Sequence, residues 1–266
     1  MNIQLAKLIY FSPTKTTKRI LEAITQGIGV DRADHVDLTP PDAKTQGFGI
    51  LHAEFAIIGA PVYGGRMPLE AVKRFHGLKT HHTPAVIVVV YGNRAYEDAL
   101  LELKNLTEEA GFIPVAAGTF VGEHSYSTEA HPIARGRPDA EDLKRAIEFG
   151  TLIREKMKNI KFLRDITPLQ VPGHFPYEER KERPRIFPIT EETPCTLCGT
   201  CATVCPTGAI RVSHKVTTDP NGCIHCCSCI KNCPTQARVF EASEIREKAE
   251  TLSKSCRDRK EPEIYL

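Results

Sequence analysis

Along the first part of the chain, short apolar runs alternate with stretches of helical periodicity. This is the pattern of a parallel sheet buried on both faces and covered by amphipathic helices. The runs predict strands over Leu5–Phe11, His35–Leu38, Phe55–Gly59, Ala85–Tyr91 and Ile113–Thr119. Between them, helices are predicted near Thr16–Gln26, Leu69–Phe75, Glu97–Ala110 and Asp139–Lys158, with Pro68 and Pro138 standing near helix starts. In that order the elements make an α/β domain over residues 1–158, a doubly wound five-stranded parallel sheet whose ligands bind beyond the carboxyl ends of the strands.

The alternation then stops. Residues 159–189 carry Pro168, Pro172, Pro176, Pro184 and Pro188 among charged and aromatic residues, and predict a semi-extended linker. Its apolar residues Leu169, Val171, Phe175 and Phe187 are expected to pack along domain surfaces. Residues 190–241 form a small cysteine-rich module, and 242–266 a C-terminal helix and tail, with Glu244 and Lys248 as an i,i+4 pair.

Composition narrows the class. A chain of 266 residues that is 41% hydrophobic and 26% charged suits one large and one small globular domain, and excludes a mostly disordered protein. The net charge is +2 with both signs interspersed, which argues against a nucleic-acid partner. Residues Met1–Phe11 lack the basic flank and continuous apolar run of a signal peptide, and no stretch reaches membrane-spanning length. A cytoplasmic location is therefore expected. Thiols stay reduced there, and clustered cysteines are read as metal ligands ahead of disulfides.

All ten cysteines lie beyond residue 194, and eight form two copies of one spacing. The first copy is Cys195-x-x-Cys198-x-x-Cys201-x-x-x-Cys205-Pro206, and the second is Cys223-x-x-Cys226-x-x-Cys229-x-x-x-Cys233-Pro234. Three cysteines at this spacing let a curled loop wrap three corners of a 4Fe-4S cubane, so a fourth ligand comes from elsewhere. Structural zinc also uses Cys-x-x-Cys pairs, but two such pairs separated by a longer spacer, which this pattern is not. Thr207-Gly208-Ala209-Ile210 and Thr235-Gln236-Ala237-Arg238 continue the repeat.

The two copies resemble the bacterial two-cluster ferredoxins, in which the cysteine before proline ligates the other cluster. The resemblance implies two 4Fe-4S clusters in a small α+β module, one on Cys195, Cys198, Cys201 and Cys233 and one on Cys223, Cys226, Cys229 and Cys205. Cys227 stands where that family often has glycine, and Cys256 lies in the tail; both read as plain thiols. His225 reads as a loop residue able to tune a cluster by hydrogen bonding.

Three loops at the carboxyl ends of the predicted strands carry the other chemistry. Ser12-Pro-Thr14-Lys15-Thr16-Thr17 leads into a helix, where hydroxyls, backbone N–H groups and the helix dipole favour a phosphate. Ser/Thr-rich helix caps also occur for purely structural reasons. Pro61-Val62-Tyr63-Gly64-Gly65 and Gly92-Asn93-Arg94-Ala-Tyr96 follow the third and fourth strands, and no Gly-x-Gly-x-x-Gly follows the first, which disfavours a dinucleotide. In sequence and order the loops resemble those of the flavodoxins. The resemblance implies FMN, with Ser12, Thr14, Lys15, Thr16 and Thr17 at its phosphate, Pro61, Val62, Tyr63, Gly64 and Gly65 along one side of the ring, Gly92, Asn93 and Arg94 at its pyrimidine edge, and Tyr96 stacked on it. Lys15 replaces the usual glycine.

A long loop, Phe120–Pro138, leaves the last predicted strand on the same side, and in it Glu123, His124 and Tyr126 are candidates for proton transfer, partner docking or simple structural use.

As a whole the chain resembles the flavodoxin-ferredoxin fusion proteins of anaerobic bacteria and archaea. That implies electron transfer between the clusters and FMN, serving a redox partner protein or a small-molecule acceptor, with a homodimer left open. Two other readings stand beside it: an FMN-dependent reductase fed through the clusters, and a flavin-free docking module for the ferredoxin part.

Overall fold

A computed structural model of the chain describes residues 3–44, 51, 53–180 and 184–266. The sheet is built from β1 (Leu5–Tyr10), β2 (Arg32–Asp37), β3 (Phe55–Pro61), β4 (Thr83–Tyr91), β5 (Phe112–Val121) and, from the far end of the chain, β10 (Glu263–Tyr265). Their order is β10-β5-β4-β3-β1-β2. Strands β1 to β5 are mutually parallel in the order 2-1-3-4-5, the flavodoxin-like arrangement. β3 and β4 are buried at every position, which is why their sequences read as apolar runs, whereas β2, at the edge, is mostly polar.

Helices α1 (Thr16–Ile28) and α4 (Ala140–Asn159) cover one face around Ile20, Ile24, Phe120 and Phe149. Helices α2 (Leu69–Phe75) and α3 (Ala99–Glu109) cover the other around Phe11, Phe75, Leu103 and Phe112. Pro68 is the N-cap of α2, and Pro138 immediately precedes Asp139, whose side chain caps α4 in a capping box with Asp142.

The sixth strand extends the five expected. The C-terminal segment returns to the first domain and β10 pairs antiparallel with β5, Ile264 opposite Gly118. Arg259 bonds Asp139 and Asp142, and Lys260 Nζ reaches the Arg94 carbonyl at 2.5 Å.

Between α4 and the cysteine module the chain runs irregularly over α2 and α3. Leu169 and Val171 join the core there. Arg180 donates to Glu102 and to the Met67 carbonyl, both at 2.5 Å. Phe175 differs from expectation: it is 74% exposed, because its ring turns edge-on to Tyr177 instead of into the domain.

The cysteine module consists of two antiparallel ladders, β6 (Ile189–Thr190) with β9 (Arg238–Val239) and β7 (Ile210–Val212) with β8 (Val216–Thr218). One-turn helices α5 (Thr200–Thr203) and α6 (Ser228–Lys231) follow the two cysteine loops. Helix α7 (Ser243–Ser255) comes next, where Lys248 lies over the Tyr126 ring at 5.9 Å.

Candidate functional site

The two cysteine loops share one backbone. Leu197 and His225 occupy equivalent places and both have left-handed φ, 55° and 56°; so do Gly199 and Cys227, at 80° and 57°, and Gly208 and Gln236, at 67° and 56°. Non-glycine residues seldom hold this conformation, so its recurrence at matched positions marks one specific loop shape used twice. It also explains Cys227, which occupies the left-handed cap of α6 and is too buried to be a reactive thiol.

Each loop closes on a cavity. One is lined by Cys195, Cys198, Cys201 and Cys233, and the other by Cys223, Cys226, Cys229 and Cys205. The cysteine before each proline thus lies with the triplet of the other loop. Among the described residues, no three His, Cys, Asp or Glu side chains converge tightly enough for a single ion.

The cavities differ in setting. In the first, Cys198 is exposed, Cys195 and Cys233 are half-buried and Cys201 is buried; in the second, Cys205, Cys226 and Cys229 are buried and Cys223 is half-buried. Burial pushes the Cys229 thiol up to about 11 and the Cys226 thiol well up, while hydrogen bonds from Thr200 pull Cys198 down. Buried thiols of this kind become thiolates only when a cation replaces their protons.

The second cavity faces the sheet domain. Ser228 Oγ donates to the Pro13 carbonyl at 2.7 Å. Lys231 Nζ pairs with Glu123 at 2.5 Å and with the Ser127 carbonyl at 2.8 Å. Arg74, buried beside Glu70, donates to the carbonyls of Leu38, Thr39 and Pro40, and at 2.5 Å to that of Pro206, next to Cys205. An aromatic row, His225–Phe240–Tyr126–His124, joins the second loop to the loop after β5 with ring spacings of 5.9, 6.1 and 5.2 Å, and the His124 ring lies against Gly92 just beyond β4. Ser228, Arg74 and Lys231 carried no motif; only a pairing of modules could have singled them out.

At the turn before α1, Lys15 is left-handed with φ 65°, so the conformation usual for glycine is kept. Ser12 Oγ accepts from the Lys18 N–H at 3.1 Å. The Thr17 hydroxyl is wholly buried and without a partner, and the N–H groups of Thr14, Thr16 and Thr17 find no acceptor among the described residues. Unclaimed donors at the start of a 13-residue helix suit a phosphate.

The other two loops are partly taken up by the protein itself. Asn93 Nδ2 donates to the carbonyls of Cys256 and Asp258 at 2.8 and 2.9 Å, and Tyr96 Oη bonds Glu263 at 2.7 Å. The sequence assigns these side chains to a ring; the structure gives them to the returning C-terminal segment. Gly65 holds a left-handed φ of 79°, and Gly92 is needed for close approach, since a Cβ there would lie 2.3 Å from the His124 ring. Pro61 ends β3 opposite Val90, and the Val62 N–H donates to the Val90 carbonyl at 3.0 Å; Tyr63 to Arg66 then form the tight turn, closed by the Tyr63 N–H to the Arg66 carbonyl at 2.8 Å, and Arg94 pairs with Glu97.

In the long loop, the expected proton-transfer candidates hold structure together. Burial raises Glu123, but Lys231 and the Gly136 N–H outweigh it and keep the carboxyl low. Burial lowers His124 to about 4, helped by Lys248, Arg94 and Lys231. Tyr126 stands between His124 and Phe240.

Residues 188–211 match the family described as the 4Fe-4S binding domain. No curated protein matches the chain. Similar solved structures include a flavodoxin from the domain Archaea (20% identity, 59% of this chain and 100% of that one, TM-score 0.39). A flavodoxin of Streptococcus pneumonia TIGR4 matches at 20% identity over 57% of this chain and 99% of that one, TM-score 0.40. A Fusobacterium nucleatum flavodoxin bound to flavin mononucleotide matches at 15% over 58% and 99%, TM-score 0.40. By its own strand order and this family match, the chain is a flavodoxin-like α/β protein with a 4Fe-4S binding domain.

Proposed function

We propose that the chain is an iron-sulfur flavoprotein that holds two 4Fe-4S clusters and FMN and transfers electrons for a separate redox partner. The observation that supports this most is the pair of four-cysteine cavities, one with an exposed cysteine and the other set against the turn before α1. When bound, the clusters supply single electrons and the flavin one or two, so that together they join one-electron to two-electron chemistry.

Cys195, Cys198, Cys201 and Cys233 hold one cluster on the exposed side, where a partner can approach. Cys223, Cys226, Cys229 and Cys205 hold the other, and Ser228, Lys231 and Arg74 fix it to the sheet domain. Ser12, Thr14, Lys15, Thr16 and Thr17 take the phosphate. The backbones of Tyr63, Gly64, Gly65 and Gly92 border the ring, and Asn93 and Tyr96 act indirectly by anchoring the C-terminal segment beside it. Such a protein works in the reducing cytoplasm.

The test is anaerobic reconstitution with iron, sulfide and FMN, gel filtration, and stepwise reduction followed by visible absorption. The flavin is expected to stay with the chain and to exchange electrons with the clusters. A chain that retains clusters but no flavin contradicts the flavoprotein reading.

A further inference from the structure

Arg238 is 3% exposed and lines both cysteine cavities. It closes the second repeat at the place where the first has Ile210, so the sequence symmetry that builds the two loops is broken here by one charge. Its Nη1 donates to Thr190 Oγ1 at 2.7 Å, and its Nη2 donates to Thr218 Oγ1 at 2.9 Å and lies 3.9 Å from Cys229 Sγ. Its Nε is buried and has no acceptor. Among the described residues no carboxylate pairs with it, although the molecule's other buried arginines, Arg74 and Arg137, each have one.

A guanidinium is always charged, and an unpaired buried charge costs far more than two neutral hydroxyls return. The counter-charge must therefore lie in the cavities it lines. Four thiolates around a 4Fe-4S core are net negative, and reduction adds one more negative charge.

We infer that Arg238 is a positioning residue for electrons: a fixed charge shared by the two cluster sites that favours the reduced state of each. The inference rests on the two-cluster reading above. One electron enters a cluster from the reductant, no bond forms or breaks, and the guanidinium stays protonated throughout. Its charge acts through the low-dielectric wall, and the unbonded Nε is free to meet a cluster sulfur.

The test is a potentiometric titration, read by electron paramagnetic resonance, of the reconstituted full chain and of three variants. Arg238→Gln, which removes the charge, is expected to lower the reduced-to-oxidised ratio at fixed potential by about tenfold at both clusters, which is 59 mV for a one-electron couple. Arg238→Lys keeps the charge and is expected to stay within about threefold of wild type. Thr190→Val with Thr218→Val removes the tethers but not the charge, and is likewise expected to stay within about threefold.

An Arg238→Gln protein with both clusters and unchanged potentials overturns the inference. Should that variant fail to assemble its clusters, Arg238→Lys decides: a ratio near wild type sustains the inference and a tenfold fall overturns it. A wild-type chain that takes up fewer than two clusters overturns the two-cluster reading itself, and is recognised by its iron and sulfide content before any titration.

Discussion

The hydroxyl of Ser228, in the second cysteine loop, donates to the carbonyl of Pro13, in the turn before α1, across 215 residues of chain. Both residues are buried. The loop around the second cavity and the turn with unclaimed N–H donors are thereby one structural unit.

Ser228→Ala is expected to cost about 1–2 kcal/mol, because the Pro13 carbonyl is left buried without a donor. Urea denaturation measures the loss, and hydrogen exchange should rise over residues 225–231. Unchanged stability and exchange would show that the two modules do not share this bond in solution.

Lys15→Gly should stabilise the protein by up to about 1 kcal/mol. Relief of a left-handed L-residue outweighs the extra chain entropy of glycine. The melting temperature should rise by about 2–4 °C. A fall would mean that the lysine side chain itself stabilises the turn.

His124 makes stability pH-dependent. Its ring Nδ1 accepts the Tyr126 N–H at 3.0 Å, a bond that protonation abolishes, and burial lowers it from 6.5 to about 4. The unfolded chain takes up its proton near 6.5 and the folded chain only near 4, so acid favours unfolding across that window. The contribution, up to about 3 kcal/mol, is complete above the unfolded value and is lost as pH falls toward 4. His124→Gln should flatten denaturation midpoints between those limits; an unaltered slope would assign the acid sensitivity elsewhere.

Much of this was legible before any coordinates. The helix Leu69–Phe75 falls at its predicted limits, and the buried strands β3 and β4 announce themselves as apolar runs because both faces are covered. The spacing alone left the fourth ligand of each triplet open, and the grouping of Cys205 with the second triplet and Cys233 with the first was implied only by the resemblance to two-cluster ferredoxins. What escaped were contacts made at long range by short or irregular pieces. β10 is three residues with no periodicity to read, so the engagement of Asn93 and Tyr96 by the C-terminal segment was hidden. Arg238 was read only as continuing the repeat, and nothing in the sequence announced its burial between two cavities.

The central claim is two clusters with exchanged fourth ligands, and the iron content of two double variants tests it most directly. Wild type should bind about eight iron per chain. Cys205→Ala with Cys226→Ala removes two ligands from one site and should keep about four iron, whereas Cys205→Ala with Cys198→Ala damages both sites and should keep almost none. The reverse result, with iron retained in the second pair and lost in the first, would contradict the account.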